Sequence, residues 1–207
     1  MENERLKIFD EDREQIGVAT REEVHRIGYW HEVFHCWFIS NEMGIDYIYL
    51  QLRSETKKEY PNLLDITVAG HLLENETVQD GVREIKEEVG IDISFQELEP
   101  LGVMEYCLIR DNFIDKELAN VFLYKCDSSF DDFTLQEEEV AGIVKVELNN
   151  FMELWSGERN TIDIKGFRMN KEGNKTLFDE SVGRDRFVSY QNKFYRTVIQ
   201  KIKDKIE

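Results

Sequence analysis

Three glutamates, Glu84, Glu87 and Glu88, stand three and four residues apart. On a helix that spacing puts all three carboxylates on one side. Like charges so placed destabilise an isolated helix by roughly 0.2–0.5 kcal/mol per pair. The plain alternative is a solvated acidic face, since glutamate is a good helix former. Three neighbours argue for more: Arg83 adjoins the cluster, Glu76 stands at the helix entrance, and a Gly70-His71 turn follows a strand just upstream. Clustered carboxylates opposite a strand end are what hard divalent cations such as Mg²⁺ require. With such a cation bound, an acidic protein can hold an anionic diphosphate that it would otherwise repel.

The elements that must position these groups can be read from pattern. A helix is predicted over residues 77–89: Thr77 and Asp80 resemble a capping box, Gly90 is a natural stop, and Val78, Val82, Ile85 and Val89 form an apolar stripe. Strands are predicted at 6–9 and 16–18 around an acidic turn, and at 33–39, 47–52 and 65–69 before the helix. Beyond it, strands are predicted at 101–108, 119–124 and 143–146, then a short helix at 151–155. Residues 157–183 are polar and glycine-bearing and read as a long loop or an irregular hairpin. Residues 187–206 read as a basic amphipathic helix carrying Phe194, Val198, Ile199 and Ile202. Strands and helices without strict alternation predict a mixed sheet with helices on its faces, an α/β (α+β) chain.

The chain has 207 residues, 41% of them hydrophobic, enough for a core of one domain with an appendage. Lys plus Arg number 26 and Asp plus Glu 43, a formal net charge of −17. That balance speaks against nucleic acid and anionic membranes as partners. No stretch approaches the roughly 20 apolar residues of a membrane span, and the charged N-terminal residues predict no secretory leader. Cys36, Cys107 and Cys126 are scattered without metal-ligand spacing, as expected for reduced thiols in a cytoplasmic protein.

Gly70 to Glu76 followed by Arg83 to Ile91 resembles the Nudix box, G, five residues, E, seven residues, then R-E-U-x-E-E-x-G-U, with U a bulky aliphatic. Every specified position is filled, but six residues rather than seven separate Glu76 from Arg83. The likeness extends from about residue 6 to 155 and is similar, within that superfamily, to the isopentenyl-diphosphate-isomerase-like branch. His31, Phe34 and Trp37, Arg53 with Lys57 and Lys58, Pro61, and Ala69-Gly70-His71 resemble that branch's elements, and Asp115 with Glu117 resembles its metal pair. Ala69 stands where the isomerases carry a catalytic cysteine, and alanine has no proton to move. The chain is therefore more similar to the hydrolases of the branch.

The resemblance implies a Nudix fold, a mixed β-sheet sandwiched between helices with an N-terminal β-hairpin and a C-terminal helix. It places a Nudix domain at 1–156, and at 157–207 an extension whose terminal helix packs on the same domain. It implies a pyrophosphohydrolase acting on a nucleoside diphosphate derivative or related small molecule, with Mg²⁺ or Mn²⁺ as cofactor. Glu84, Glu87, Glu88 and the carbonyl of Gly70 would be the metal ligands. Arg83 would orient a box carboxylate together with Glu76, and Glu139 of the Glu137-Glu138-Glu139 triplet would be the general base. Arg53 and Lys57 would bind diphosphate. His31, His71, Asp115 and Glu117 match isomerase metal ligands, while Tyr106, Phe113 and Trp30 are stacking candidates otherwise suited to the core. An isomerase and a catalytically silent nucleotide-binding regulator are the alternatives, and a homodimer stays open. Residues 157–183 are the expected specificity element.

Overall fold

A computed structural model describes residues 4–110 and 113–206; the first three residues of the charged N-terminal stretch lie outside it. Strands β1 (Arg5–Phe9) and β2 (Gln15–Thr20) form a hairpin whose turn is closed by Asp10 Oδ1, which accepts from Asp12 N and Glu14 N. A helix the sequence reading lacked, α1 (Arg21–Ile27), follows at once. Thr20 and Glu23 cap it reciprocally, and Gly28 ends it in the left-handed conformation. Strands β3 (Trp30–Glu42) and β4 (Ile45–Arg53) are joined through Met43 and Gly44, both at positive φ, the turn whose twist suits a hairpin.

β3 and β4 pair only near that turn, Ile39 to Glu42 against Ile45 to Ile48, and then diverge. Into the fork runs the segment expected as one strand over 65–69, which the structure divides into β5 (Leu64–Ile66), paired with β4, and β6 (Val68–His71), paired with β3. Thr67 stands at the division. Its buried hydroxyl donates to Tyr49 O at 2.6 Å and accepts from Phe38 N at 3.0 Å, tying both diverging strands. The fork delivers Ala69, Gly70 and His71 to the helix that follows.

That helix, α2 (Arg83–Val89), is shorter than expected. A 3-10 turn at Asp80–Val82 precedes it, and Asp80 accepts from both Thr77 N and Thr77 Oγ1 at 2.7 Å instead of Thr77 capping a longer helix. A Cβ on Gly81 would fall 2.7 Å from the Phe34 ring, so the turn is pressed against β3. Gly90 caps the C-terminus with φ 75°.

The chain continues through β7 (Glu99–Arg110), β8 (Phe113–Lys125), β9 (Val140–Glu147), α3 (Leu148–Ser156), β10 (Thr161–Met169), β11 (Lys175–Gly183) and α4 (Asn192–Ile206). Residues 157–183, expected as a loop or irregular hairpin, form instead a regular one, paired without a break from Thr161–Gly183 to Met169–Lys175. All the strands join one sheet with the path β11-β10-β9-β4-β3-β1-β2, and β8 runs parallel to β3. Among the described residues the other named strands pair antiparallel, so the sheet is mixed as expected.

Helices cover both faces of the sheet. On one, Val33 and Trp37 pack with Phe151 and Leu154 of α3 and with Phe194, Tyr195, Val198 and Ile202 of α4. Trp155 stacks on Tyr195 at 3.9 Å. On the other, Phe34, Cys36 and Phe38 pack with Ile85 and Val89 of α2. Full burial of each such side chain is worth roughly 1.5–3 kcal/mol. Among the described residues no helix is long and apolar enough to cross a membrane.

Candidate active site

A cavity of about 270 Å³ opens where the fork meets α2. Arg83 organises its mouth. The guanidinium grips Glu76 with Nε and Nη2, donates through Nη1 to Glu84 at 2.7 Å and Glu87 at 2.9 Å, and reaches His71 O at 3.2 Å. Glu76 also accepts from Leu73 N at 2.8 Å, so the loop that is one residue short still closes on Arg83. Glu88, only 5% exposed, accepts from Gln51 Nε2 and Ala69 N at 3.3 Å each.

Glu139 arrives from the loop before β9. It pairs with Lys57, while Ser54 N donates to Glu139 O and Thr56 Oγ1 to Glu138 O, so two loops are tied together. Glu137 and Glu138 are exposed. Glu84, Glu87, Glu88, Glu139, Gly70, Arg53 and Lys57 all line the cavity. Arg53 is ion-paired with Asp65 at 2.7 Å and donates to the carbonyls of Glu59 and Tyr60. Tyr106 and Phe113 reach the cavity, whereas Trp30 lies outside it, bonded to Glu11.

Burial dominates the electrostatics. It lifts the Glu84 carboxyl to about 7, with Arg83 opposing and Glu87 adding, and pushes Glu88 well above the ordinary carboxylate range, with Glu84 adding. Burial also works to raise Glu76, but its bonds from Arg83 and Leu73 N outweigh it and hold the group low. The lining carries nine carboxylates against four Lys or Arg. An anionic ligand therefore needs added positive charge to enter. An all-oxygen donor set suits Mg²⁺ or Mn²⁺. A cation there would offset the burial, and the lesser mutual repulsion, that make Glu84 and Glu88 costly to ionise. The residues fit such a group.

A second cluster borders the same cavity. His25, His31 and His71 bring ring nitrogens within 4.8 Å of one another, and His31, Asp115 and Glu117 do likewise. Asp115 Oδ1 lies 3.4 Å from His25 Nε2 and 3.6 Å from His31 Nε2. Burial holds His31 down to about 4, with Asp115 opposing, and drives His71 well below its ordinary value, so both rings are neutral at pH 7 and offer lone pairs. His31 Nε2, Asp115 Oδ1 and Glu117 Oε2 are buried without a hydrogen-bond partner. Such a mixed nitrogen and oxygen set could hold a transition metal.

His25 is the member that sequence reading missed. Its signal was the Thr20 and Glu23 cap, which starts the helix that carries it to Asp115. Val188 and Tyr190 were missed too. No residue of 157–183 lines the cavity, whereas these two, just beyond that hairpin, do. The hairpin expected as the specificity element therefore stands away from the cavity, and the segment after it borders the cavity.

A family model for the NUDIX domain matches residues 30–163. The chain is 35% identical over 204 residues to an uncharacterized Nudix hydrolase of Clostridium acetobutylicum, covering 99% of each. It is 32% identical over 165 residues to Nudix hydrolase 3 of Arabidopsis thaliana, covering 76% of this chain but 21% of that longer protein. A Deinococcus radiodurans protein of known crystal structure is similar in fold, with TM-score 0.57 at 18% identity, covering 74% of this chain and 90% of that one.

Proposed function

Because the chain belongs to the NUDIX domain family, we propose that it is a Mg²⁺- or Mn²⁺-dependent pyrophosphohydrolase cleaving a diphosphate linkage in a nucleoside diphosphate derivative or a related small molecule. It is a hydrolase of the class acting on phosphorus anhydrides. One observation carries the metal-dependent reading. Glu84, Glu87 and Glu88 from α2 and Glu139 from a distant loop line one cavity whose fixed charge is negative.

In this reading Glu84, Glu87, Glu88 and the Gly70 carbonyl hold the cation. When bound, it supplies neutralising charge for the diphosphate and acidity for a water. Arg83 acts by position, fixing Glu84 and Glu87 through its fork of donors. Glu139 takes the proton of the attacking water, and Lys57, ion-paired with it, turns to the substrate when the diphosphate enters. Lys57 and Arg53 then face the diphosphate oxygens. His25, His31 and His71 hold a second cation with Asp115 beside them, and Glu117 is left to the substrate.

That cluster is what favours an isomerase as the second reading, yet Ala69 lines the cavity where the reacting thiol would be needed. A silent regulator would be expected to lack box glutamates, and none is missing. The test is product formation, followed by chromatography, from nucleoside di- and triphosphates, nucleotide sugars, dinucleoside polyphosphates and prenyl diphosphates, with Mg²⁺ or Mn²⁺ and with EDTA. Turnover abolished by EDTA and reduced by orders of magnitude in Glu87→Gln is expected. Wild-type rates in that variant would overturn the metal assignment.

A further inference from the structure

Resting on the hydrolase reading above, we propose that the cavity wall carrying His35, Tyr106, Glu117 and Tyr190 binds the non-phosphate part of the substrate through its hydroxyl groups, selecting a sugar diphosphate over a hydrocarbon one. Strand register assembles this wall. Val33 pairs with His71, and His35 with Ala69, across β3 and β6. Glu117 lies opposite His31 on β3 and opposite Tyr106 on β7. Residues so paired share a face of the sheet, here the one turned towards α4. Tyr190 enters from the chain after β11. Val188 N donates to Leu64 O and the Tyr195 hydroxyl to Val188 O, each at 2.9 Å, and the Tyr190 ring meets Tyr106 at 4.8 Å between centroids.

The chemistry of the wall decides among ligand classes. His35, 1% exposed, has Nδ1 without a partner, and Glu117 Oε2 likewise. The other ring nitrogen of His35 stands 3.5 Å from that oxygen without closing a hydrogen bond. Buried polar atoms are normally satisfied, so these two call for a ligand that supplies the missing bonds. A hydroxyl both donates and accepts, which suits a carboxylate beside an imidazole. A further phosphate does not suit it, because Arg53 and Lys57 already serve the diphosphate itself and the wall adds a carboxylate, Glu117, but no cation of its own. Nor does a hydrocarbon. The aliphatic lining of the whole cavity is Val33, Ala69, Leu73 and Val188, and an apolar group against this wall would seal the unmet polar atoms from water.

Ribose 5-diphosphate and isopentenyl diphosphate are two five-carbon primary esters of diphosphate that differ in their hydroxyls. Their affinities would be measured by calorimetry in Ca²⁺, to slow turnover, for the wild type and for His35→Phe and Tyr106→Phe, with melting curves to confirm folding. The wild type is expected to bind the ribose ester at least tenfold more tightly, and each variant to lose most of that preference. A wild-type ratio at or below one overturns the proposal whether or not the variants fold. So does a ratio that both folded variants keep. Phosphate release, followed separately in Mg²⁺, tests the underlying hydrolase: no turnover with the affinity ratio intact would sink that reading and leave the wall standing.

Discussion

The Glu84 carboxylate fills the space that any side chain at position 70 would need. A Cβ built on Gly70 falls 2.2 Å from Glu84 Cδ and 2.3 Å from its Oε1. Strand β6 and helix α2 therefore meet as backbone against carboxylate, and Gly70 and the helix glutamates line one cavity.

Gly70→Ala should separate site from fold. Gly70 is not among the glycines at positive φ, so alanine is conformationally allowed there. What must move is a flexible glutamate side chain rather than backbone. A fall in kcat/KM of at least about tenfold, about 1.4 kcal/mol, is expected with Tm changed by only a few degrees. Steady-state kinetics beside a thermal melt checks this, and unchanged kinetics would show that the position of Glu84 is unimportant.

Stability of the cation-free protein should depend on pH through Glu84. Its folded carboxyl, lifted by burial to about 7, holds a proton more tightly than in the unfolded chain, where 4.5 is the ordinary value. The folded state thus gains stability as pH falls from 7 towards 4.5 and loses it as pH rises through 7, by at most about 3 kcal/mol. His31, held down to about 4 by burial, acts in the opposite sense below pH 6.5. Comparing Tm of the wild type with Glu84→Gln in EDTA cancels the histidine contribution. The wild type should gain on the variant as pH is lowered, and Mg²⁺ or Mn²⁺ should raise the wild-type Tm above pH 7. Parallel curves would mean Glu84 titrates normally.

Arg83→Lys should fail although the charge is kept. One planar guanidinium joins Glu76, Glu84, Glu87 and the His71 carbonyl, and an ammonium cannot span that fork. Activity is expected to drop roughly 10- to 100-fold, with a loss of about 1–3 kcal/mol of stability. Glu76→Gln should produce part of the same defect, and the two changes together less than their sum. Strict additivity would indicate that Glu76 works independently of Arg83.

The box was legible because helical spacing alone sets Glu84, Glu87 and Glu88 on one side of a helix, whatever surrounds it. Ile85 and Val89 were legible as core for the same reason. His25 was not, because it sits on a seven-residue helix with a polar sequence, and its meeting with Asp115 depends on β8 lying parallel to β3. Tyr190 was hidden because its place depends on Val188 docking against Leu64, a contact between distant segments. The regularity of the β10 and β11 hairpin escaped because one strand carries little alternation. Ile162 and Ile164 alternate with exposed neighbours, but β11 is mostly exposed and polar, with Val182 its buried residue. The start of α2 was misplaced since Thr77 and Asp80 bond whether or not a helix follows.

Gly166→Ala tests how that hairpin is held. A Cβ at Gly166 would lie 2.1 Å from Ile143 O and 2.7 Å from Val144 Cα, both backbone atoms of the neighbouring strand. Gly142, opposite Arg168 on the neighbouring strand, is equally confined: a Cβ there would lie 2.3 Å from Phe167 O. Neither contact can be relieved by turning a side chain, so β10 and β9 must separate locally. A loss of roughly 3 kcal/mol is expected, or about 6–12 °C in Tm for a chain of this size. Gly173→Ala, at φ 75° but with open space around it, should cost about 1 kcal/mol. Because residues 157–183 do not line the cavity, kcat of the folded Gly166→Ala protein should stay near the wild-type value. A collapse of kcat below the melting transition would mean that the hairpin shapes the site from a distance, through β9 and the Glu139 that precedes it.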